Sequence, residues 1–216
     1  LISLAVLVSF FISFREITET DIGMHLASGK LILEQGPYFE NDPFRFTSEG
    51  MKYINNYTLF QVLYFLADKT GGGFGIVLIS SLFICLSAVL AVIRSREMSG
   101  KLSPAFPLIL FMGILIWNYN YDPRPQIISW VYTGLLLILL DRYFKNGKRK
   151  YLYALPVIIF LWVNTHGSVY IIGLFVIGAY WLSDYVHHKR FNKTFSLFFL
   201  LSAAVSLLNP YFIEGA

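Results

Sequence analysis

The chain has 216 residues, 56% of them hydrophobic and only 14% charged, about half the charge of an ordinary soluble domain. A mean hydropathy of +0.60, spread along the whole length, excludes a secreted enzyme with a cleaved signal, and it excludes a disordered or fibrous chain. The net charge of +4 reads as a topological signal rather than a nucleic-acid surface, and the single cysteine, Cys85, excludes a disulfide framework or a thiolate metal site within the chain.

Apolar segments suited to cross a membrane run over 1–13, 73–93, 103–118, 125–141, 151–163, 168–183 and 194–208. Gly73 to Ile93 is uncharged and close to the roughly 20 residues that cross about 30 Å of hydrocarbon. The other segments reach that length with aromatic flanks such as Trp117, Tyr143, Tyr153 and Trp181, which sit where an interfacial belt places its rings. The pattern predicts an all-α integral membrane protein of about seven transmembrane helices. Residues 1–216 form a single membrane domain, with six of the helices in 73–208. The chain reads as a piece of a longer protein.

Three joining loops are short and basic: Arg94, Arg96 and Lys101; then Arg142, Lys145, Lys148, Arg149 and Lys150; then Lys189, Arg190 and Lys193. Excess Lys and Arg mark cytoplasmic loops, so Asn118 to Pro125, Val163 to Ser168 and Asn209 onward face the opposite side. Residues 14–70 hold eight of the thirteen acids and form a long extracytoplasmic first loop carrying interfacial helices.

Within that loop, Asp21 to Gly36 predicts a helix, with an Asp at its start and a Gly at its stop. Ile22, Leu26, Gly29 and Leu33 form its apolar stripe. Asp21 and His25, four apart, share a neighbouring face. Two readings fit the pair: a carboxylate and imidazole that share a proton or a ligand, or a helix cap with its ion-pair partner. Asp42 to Thr47 reads as a turn beginning a short extended segment. Residues 57–69 are apolar and follow Asn55 and Asn56; thirteen residues are short for a span, which favours an interfacial helix turning at Gly71, Gly72 and Gly73.

Asp122 and Arg124 stand at the outer mouth between two spans. Either they mark the aqueous boundary or they serve chemistry, and a guanidinium held there suits bidentate phosphate binding. His166, in the outer turn Asn164-Thr165-His166-Gly167, faces the same side, whereas His187 and His188 lie in a basic inner loop as solvated or headgroup contacts. No metal-ligand spacing occurs, so no metal site is assigned, although Asp21, His25, His166 and Asp122 are compatible with a divalent cation if they converge. Gly71-Gly72-Gly73 lacks the Lys and Ser or Thr of a phosphate-binding loop.

The order of a first span, an outer loop opening with Asp21 on a helix that ends Ile32-Leu33-Glu34-Gln35-Gly36, an interfacial helix, and a later outer Asp122-Pro123 resembles the GT-C superfamily. These are membrane glycosyltransferases using lipid-phosphate sugars, such as protein O-mannosyltransferases and aminoarabinose transferases, and bacterial relatives of unassigned activity. The chain departs from many of them at Ile22, where a Glu is usual, and at Asn55-Asn56-Tyr57-Thr58-Leu59, where a Lys-Pro-Pro-Leu-like stretch is usual.

The resemblance covers the whole chain. It implies a GT-C-like module in the inner membrane with its active side extracytoplasmic, moving a sugar from a polyprenyl-phosphate donor to a glycan, lipid or protein acceptor, with inversion. Asp21 would be the base, Asp122 a second catalytic carboxylate, and His25, Arg124 and His166 the substrate and phosphate contacts. No cofactor beyond the lipid-linked donor is implied, and nucleic acid is no partner. The alternatives are a non-catalytic subunit of the same fold and a membrane transporter; nearly charge-free span interiors argue against the transporter.

Overall fold

The computed structural model describes residues 2–44, 50–100, 112–113 and 122–216. The expected span 103–118, Asn118 to Tyr121, and Arg45 to Thr47 therefore lie largely or wholly outside the described residues. The described fold is all-helical without a strand. Its helices are α1 (Ile2–Ser13), α2 (Ile22–Gln35), α3 (Thr58–Ser99), α4 (Gln126–Asn146), α5 (Ala154–Thr165), α6 (Ile171–His188) and α7 (Lys193–Val205). Two of them, α3 and α4, are long and apolar enough to cross a membrane.

α3 is a helical hairpin. Gly72 leaves helical backbone at φ 58°, ψ −150°, a region essentially closed to residues with a side chain. The chain then folds back. A Cβ on Gly75 would lie 2.1 Å from the Ala67 carbonyl oxygen, so a side chain there would prevent the close return. Residues 58–71 begin where the Tyr57 ring lies 5.9 Å from that of His166. They end beside the Phe74 ring, 5.5 Å from that of Phe14. Arg15 reaches Asp122, and His166 reaches Ser129, so the start of 58–71 lies beside the first turn of α4.

The second arm, 73–99, runs parallel to α4. Ile84 clusters with Ile127 and Ile128 near one end, Leu90 lies against Gly134 midway, and Arg94 pairs with Asp141 at the other. Gly134 allows this approach because a Cβ there would meet the Leu90 side chain at 3.1 Å. The larger core joins α4, α5, α6 and α7 around Leu136, Leu155, Ile159, Trp162, Ile177 and Phe195. Trp162 is the largest of its fully buried side chains. Apolar residues also cover much of the outside: Phe11, Phe175 and Leu200 are each about two-thirds exposed or more, as helix faces turned toward lipid would be.

Of the expected α2 stripe, Ile22 and Leu26 pack against the core and Gly29 is buried, but Leu33 is not. Leu33 is exposed, while the buried face reads His25, Ser28, Gly29 and Ile32. Gly29 sets this register: a Cβ there would sit 2.2 Å from the Gln61 carbonyl oxygen, so α2 rests directly on the backbone of the hairpin's first arm. The segment between α2 and α3 is tied to the chain's last residues. The Tyr211 hydroxyl accepts the Phe39 N–H at 3.0 Å, and Lys52 pairs with Glu214 at 2.5 Å. Asp42 accepts the Phe44 N–H at 2.9 Å, the expected turn, and Asn41 bridges to Lys52.

Candidate functional site

The predicted site residues all lie at the end of the bundle where α4 begins, joined by the linker 14–21 between α1 and α2. Two oppositely directed charge pairs fasten that linker to the start of α4. Arg15 approaches Asp122 at 3.3 Å, and the Thr18 hydroxyl donates to the same carboxylate at 2.8 Å. Glu19, whose side chain is 2% exposed, pairs with Arg124. The second Glu19 oxygen accepts the backbone N–H of Asp21 at 3.2 Å. Asp21 is thus linked through one buried carboxylate to Arg124, which keeps half of its side chain exposed.

Asp21 occupies the N-cap position of α2, but its side chain makes no capping hydrogen bond. Nor does its exposed carboxylate form an ion pair among the described residues. The capping role that the sequence offered is therefore not filled by this side chain. The carboxylate faces solvent next to the positive end of the α2 dipole.

His25 is buried on the inner face of α2. Its ring stands edge-on to Tyr57 and Phe60, with centroids 5.4 and 5.0 Å away, and its Nδ1 lies 3.4 Å from Gln61 Nε2. Gln61 in turn accepts from Asn55 at 2.7 Å. Burial lowers the His25 pKa to about 4, opposed in part by the Asp21 charge. Its imidazole is neutral at physiological pH, so it supplies hydrogen bonding rather than positive charge.

His166 ends α5, and its Nδ1 lies 2.8 Å from the Ser129 hydroxyl. Trp162 Nε1 donates to the same hydroxyl at 2.9 Å, which leaves the Ser129 proton for His166. Burial, with a smaller contribution from His25, lowers the His166 pKa to about 4. Tyr57 stands between the two imidazoles, and Asn56 accepts the Gly167 N–H at 2.8 Å. The segment that leads into the hairpin is therefore seated directly on the α5–α6 turn.

The structure gathers the five predicted residues at one end but divides them into an exposed carboxylate, two paired charges and two buried neutral rings. Sequence reasoning missed Arg15, Thr18, Glu19, Gln61 and Ser129. Arg15 and Glu19 carried a signal, since their charges complement Asp122 and Arg124. The others carried none, because a Gln or Ser in a helix acquires a partner only through packing. Among the described residues, no three His, Cys, Asp or Glu side chains cluster closely enough to hold a metal ion. No protein-family model, curated protein sequence or solved structure matches the chain.

Proposed function

We propose that the protein is an integral membrane glycosyltransferase of GT-C type, with about seven transmembrane helices in the inner membrane and its active side extracytoplasmic. It moves a sugar from a polyprenyl-phosphate donor to a glycan, lipid or protein acceptor. The observation that carries this reading is the exposed carboxylate of Asp21, on a residue whose backbone N–H is held by Glu19, the partner of the half-exposed Arg124.

In this reaction the acceptor oxygen or nitrogen attacks the anomeric carbon from the face opposite the donor phosphate. The bond from that carbon to the phosphate oxygen breaks, and polyprenyl phosphate departs with the electron pair. Asp21 takes the acceptor proton, a contribution of about 10²- to 10⁴-fold. Arg124 stabilises the charge that builds on the departing phosphate, while Asp122, His25 and His166 shape the site. The buried, neutral environment of the two histidines suits hydrogen bonding to sugar hydroxyls better than charge neutralisation. Purified Asp21→Asn, assayed with a polyprenyl-phosphate sugar and its acceptor, is expected to lose transfer while retaining wild-type helix content. Undiminished turnover would overturn the assignment.

A second reading, a non-catalytic module of the same fold, is favoured by the pairing of Asp122 with Arg15 and of Arg124 with Glu19. In that case both pairs act as latches. Asp21→Asn would then leave the activity of the assembled complex unchanged.

A further inference from the structure

At the opposite, basic end of the bundle, the acids among the described residues are already paired. Arg142 donates to Glu97 at 2.9 Å, Arg94 to Asp141 at 2.8 Å, and His188 Nδ1 lies 3.0 Å from Asp184. Arg190 and Lys193 are among the cations at this end that no acid neutralises. Both are exposed, and neither forms a hydrogen bond or ion pair among the described residues.

These two cations line a groove of about 480 Å³ between the end of α6 and the start of α7, together with Asp184, His188, Phe191 and Asn192. The groove is held in shape before any ligand arrives. Lys189 adopts left-handed backbone at φ 53° and turns the chain sharply, which lays Phe191 on Tyr185 and Trp181 with ring centroids 4.5 and 5.5 Å apart. Asn192 accepts the Phe195 N–H at 3.1 Å and donates to the Tyr143 hydroxyl at 2.9 Å, so the wall is anchored to both α7 and α4. The first turn of α7 directs its N–H groups and the positive end of its dipole to this place.

We propose that this groove binds the phosphodiester headgroup of an anionic phospholipid. Arg190 offers the fork geometry that holds phosphate oxygens bidentately, and Lys193 adds a second point charge. The stacked rings form an interfacial shelf at the apolar boundary. Beyond Lys193, Leu197 and Leu200 stand one and two turns further along the same face of α7, are each more than half exposed, and offer an acyl chain an apolar path. That continuity favours a lipid over a soluble phosphate. The proposal depends on the chain's lying in a membrane and is independent of any sugar transfer.

The test uses the full chain in a neutral detergent, titrated with phosphatidylglycerol, with phosphatidylcholine and with inorganic phosphate, with bound lipid counted by native mass spectrometry. Phosphatidylglycerol is expected to bind saturably and about tenfold more tightly than phosphatidylcholine, and the Arg190→Gln/Lys193→Gln pair to remove that preference. Lys148→Gln/Arg149→Gln, two charges at the same end outside the groove, is expected to leave it intact. Because Arg190 and Lys193 are exposed and unpaired, their replacement leaves the thermal midpoint without lipid unchanged. Equal loss in both double variants would mean diffuse surface charge and overturn the site. Millimolar inorganic phosphate that displaces the lipid fully would identify a soluble anion as the ligand and overturn the lipid assignment.

Discussion

The Tyr64 hydroxyl and the Ser80 Oγ lie 2.9 Å apart, although they are sixteen positions apart in α3. In a straight helix they would be separated by about 24 Å. The hydrogen bond therefore records the return of the first hairpin arm onto the second. Ser80 also donates to the Ile76 carbonyl at 2.9 Å, so the Tyr64 proton is the one available for the bond between the hydroxyls.

Gly72→Val is expected to be the most disruptive change in the turn. A β-branched side chain cannot adopt φ 58°, ψ −150° without strain of about 1–3 kcal/mol. Thermal unfolding in detergent should show a lower midpoint, by about 2–4 °C per kcal/mol for a chain of this size. Gly71→Ala, next to it in open space, should remain near wild type. Equal midpoints for the two variants would count against the hairpin.

Gly29→Val tests the seating of α2 on the hairpin. The added carbons meet the Gln61 backbone at 2.2 Å, and backbone cannot yield as a side-chain tip does. Overpacking of this kind costs about 1–3 kcal/mol or more. Limited proteolysis within 36–57 should accelerate in the variant, because α2 holds that loop down.

Ser129→Ala removes the hydroxyl shared by His166 and Trp162 and leaves two buried ring nitrogens without their partner. An unsatisfied buried polar group costs about 1–3 kcal/mol. Tryptophan emission and unfolding midpoint should both change. Ser87→Ala removes only a hydroxyl bonded to its own helix, at the Phe83 carbonyl, and should have little effect.

Stability should fall on acidification. His25 and His166 are held near pKa 4 in the fold, against 6.5 for a free imidazole. Between those values the unfolded chain binds more protons than the folded one, so stability rises with pH there. Their contribution is full above about pH 6.5 and is lost as pH falls toward 4. Each histidine contributes on the order of 3 kcal/mol to this limb. His166→Gln should flatten the unfolding midpoint between pH 6.5 and 4; a wild-type slope in the variant would remove His166 as a source.

Topology is testable with a membrane-impermeant thiol reagent in a Cys85→Ser background. Glu40→Cys, exposed in the outer loop, should react from outside intact cells, and Lys148→Cys, exposed between α4 and α5, should react only after lysis. The expectation follows from the concentration of basic residues in the 94–101, 142–150 and 189–193 loops. Reaction of both positions from outside would contradict it.

Helix positions were largely legible in the sequence, because hydrophobic runs and their Gly and charged boundaries are local properties. Asp21 and Gly36 bound α2 as expected, whereas α3, α4 and α6 each continue about five residues beyond the expected ends at 93, 141 and 183. The pairing of Arg94 with Asp141 and of Arg142 with Glu97 was not legible, since the sequence showed these ends only as basic. Tertiary structure alone decided the direction of 58–71, since one glycine's backbone angles determine whether that arm continues forward or returns. It also decided the face of α2: Leu33 and Ile32 are equally apolar, and only the close approach of Gly29 to Gln61 buries one and exposes the other. The charge state of the candidate site belongs to tertiary structure as well. Spacing placed His25 four residues from Asp21, but burial against Tyr57 and Phe60 keeps its ring neutral, and folding alone brings Glu19 between Asp21 and Arg124. Desolvation and pairing energies depend on neighbours distant in the chain, and neither is encoded in the spacing of a single segment.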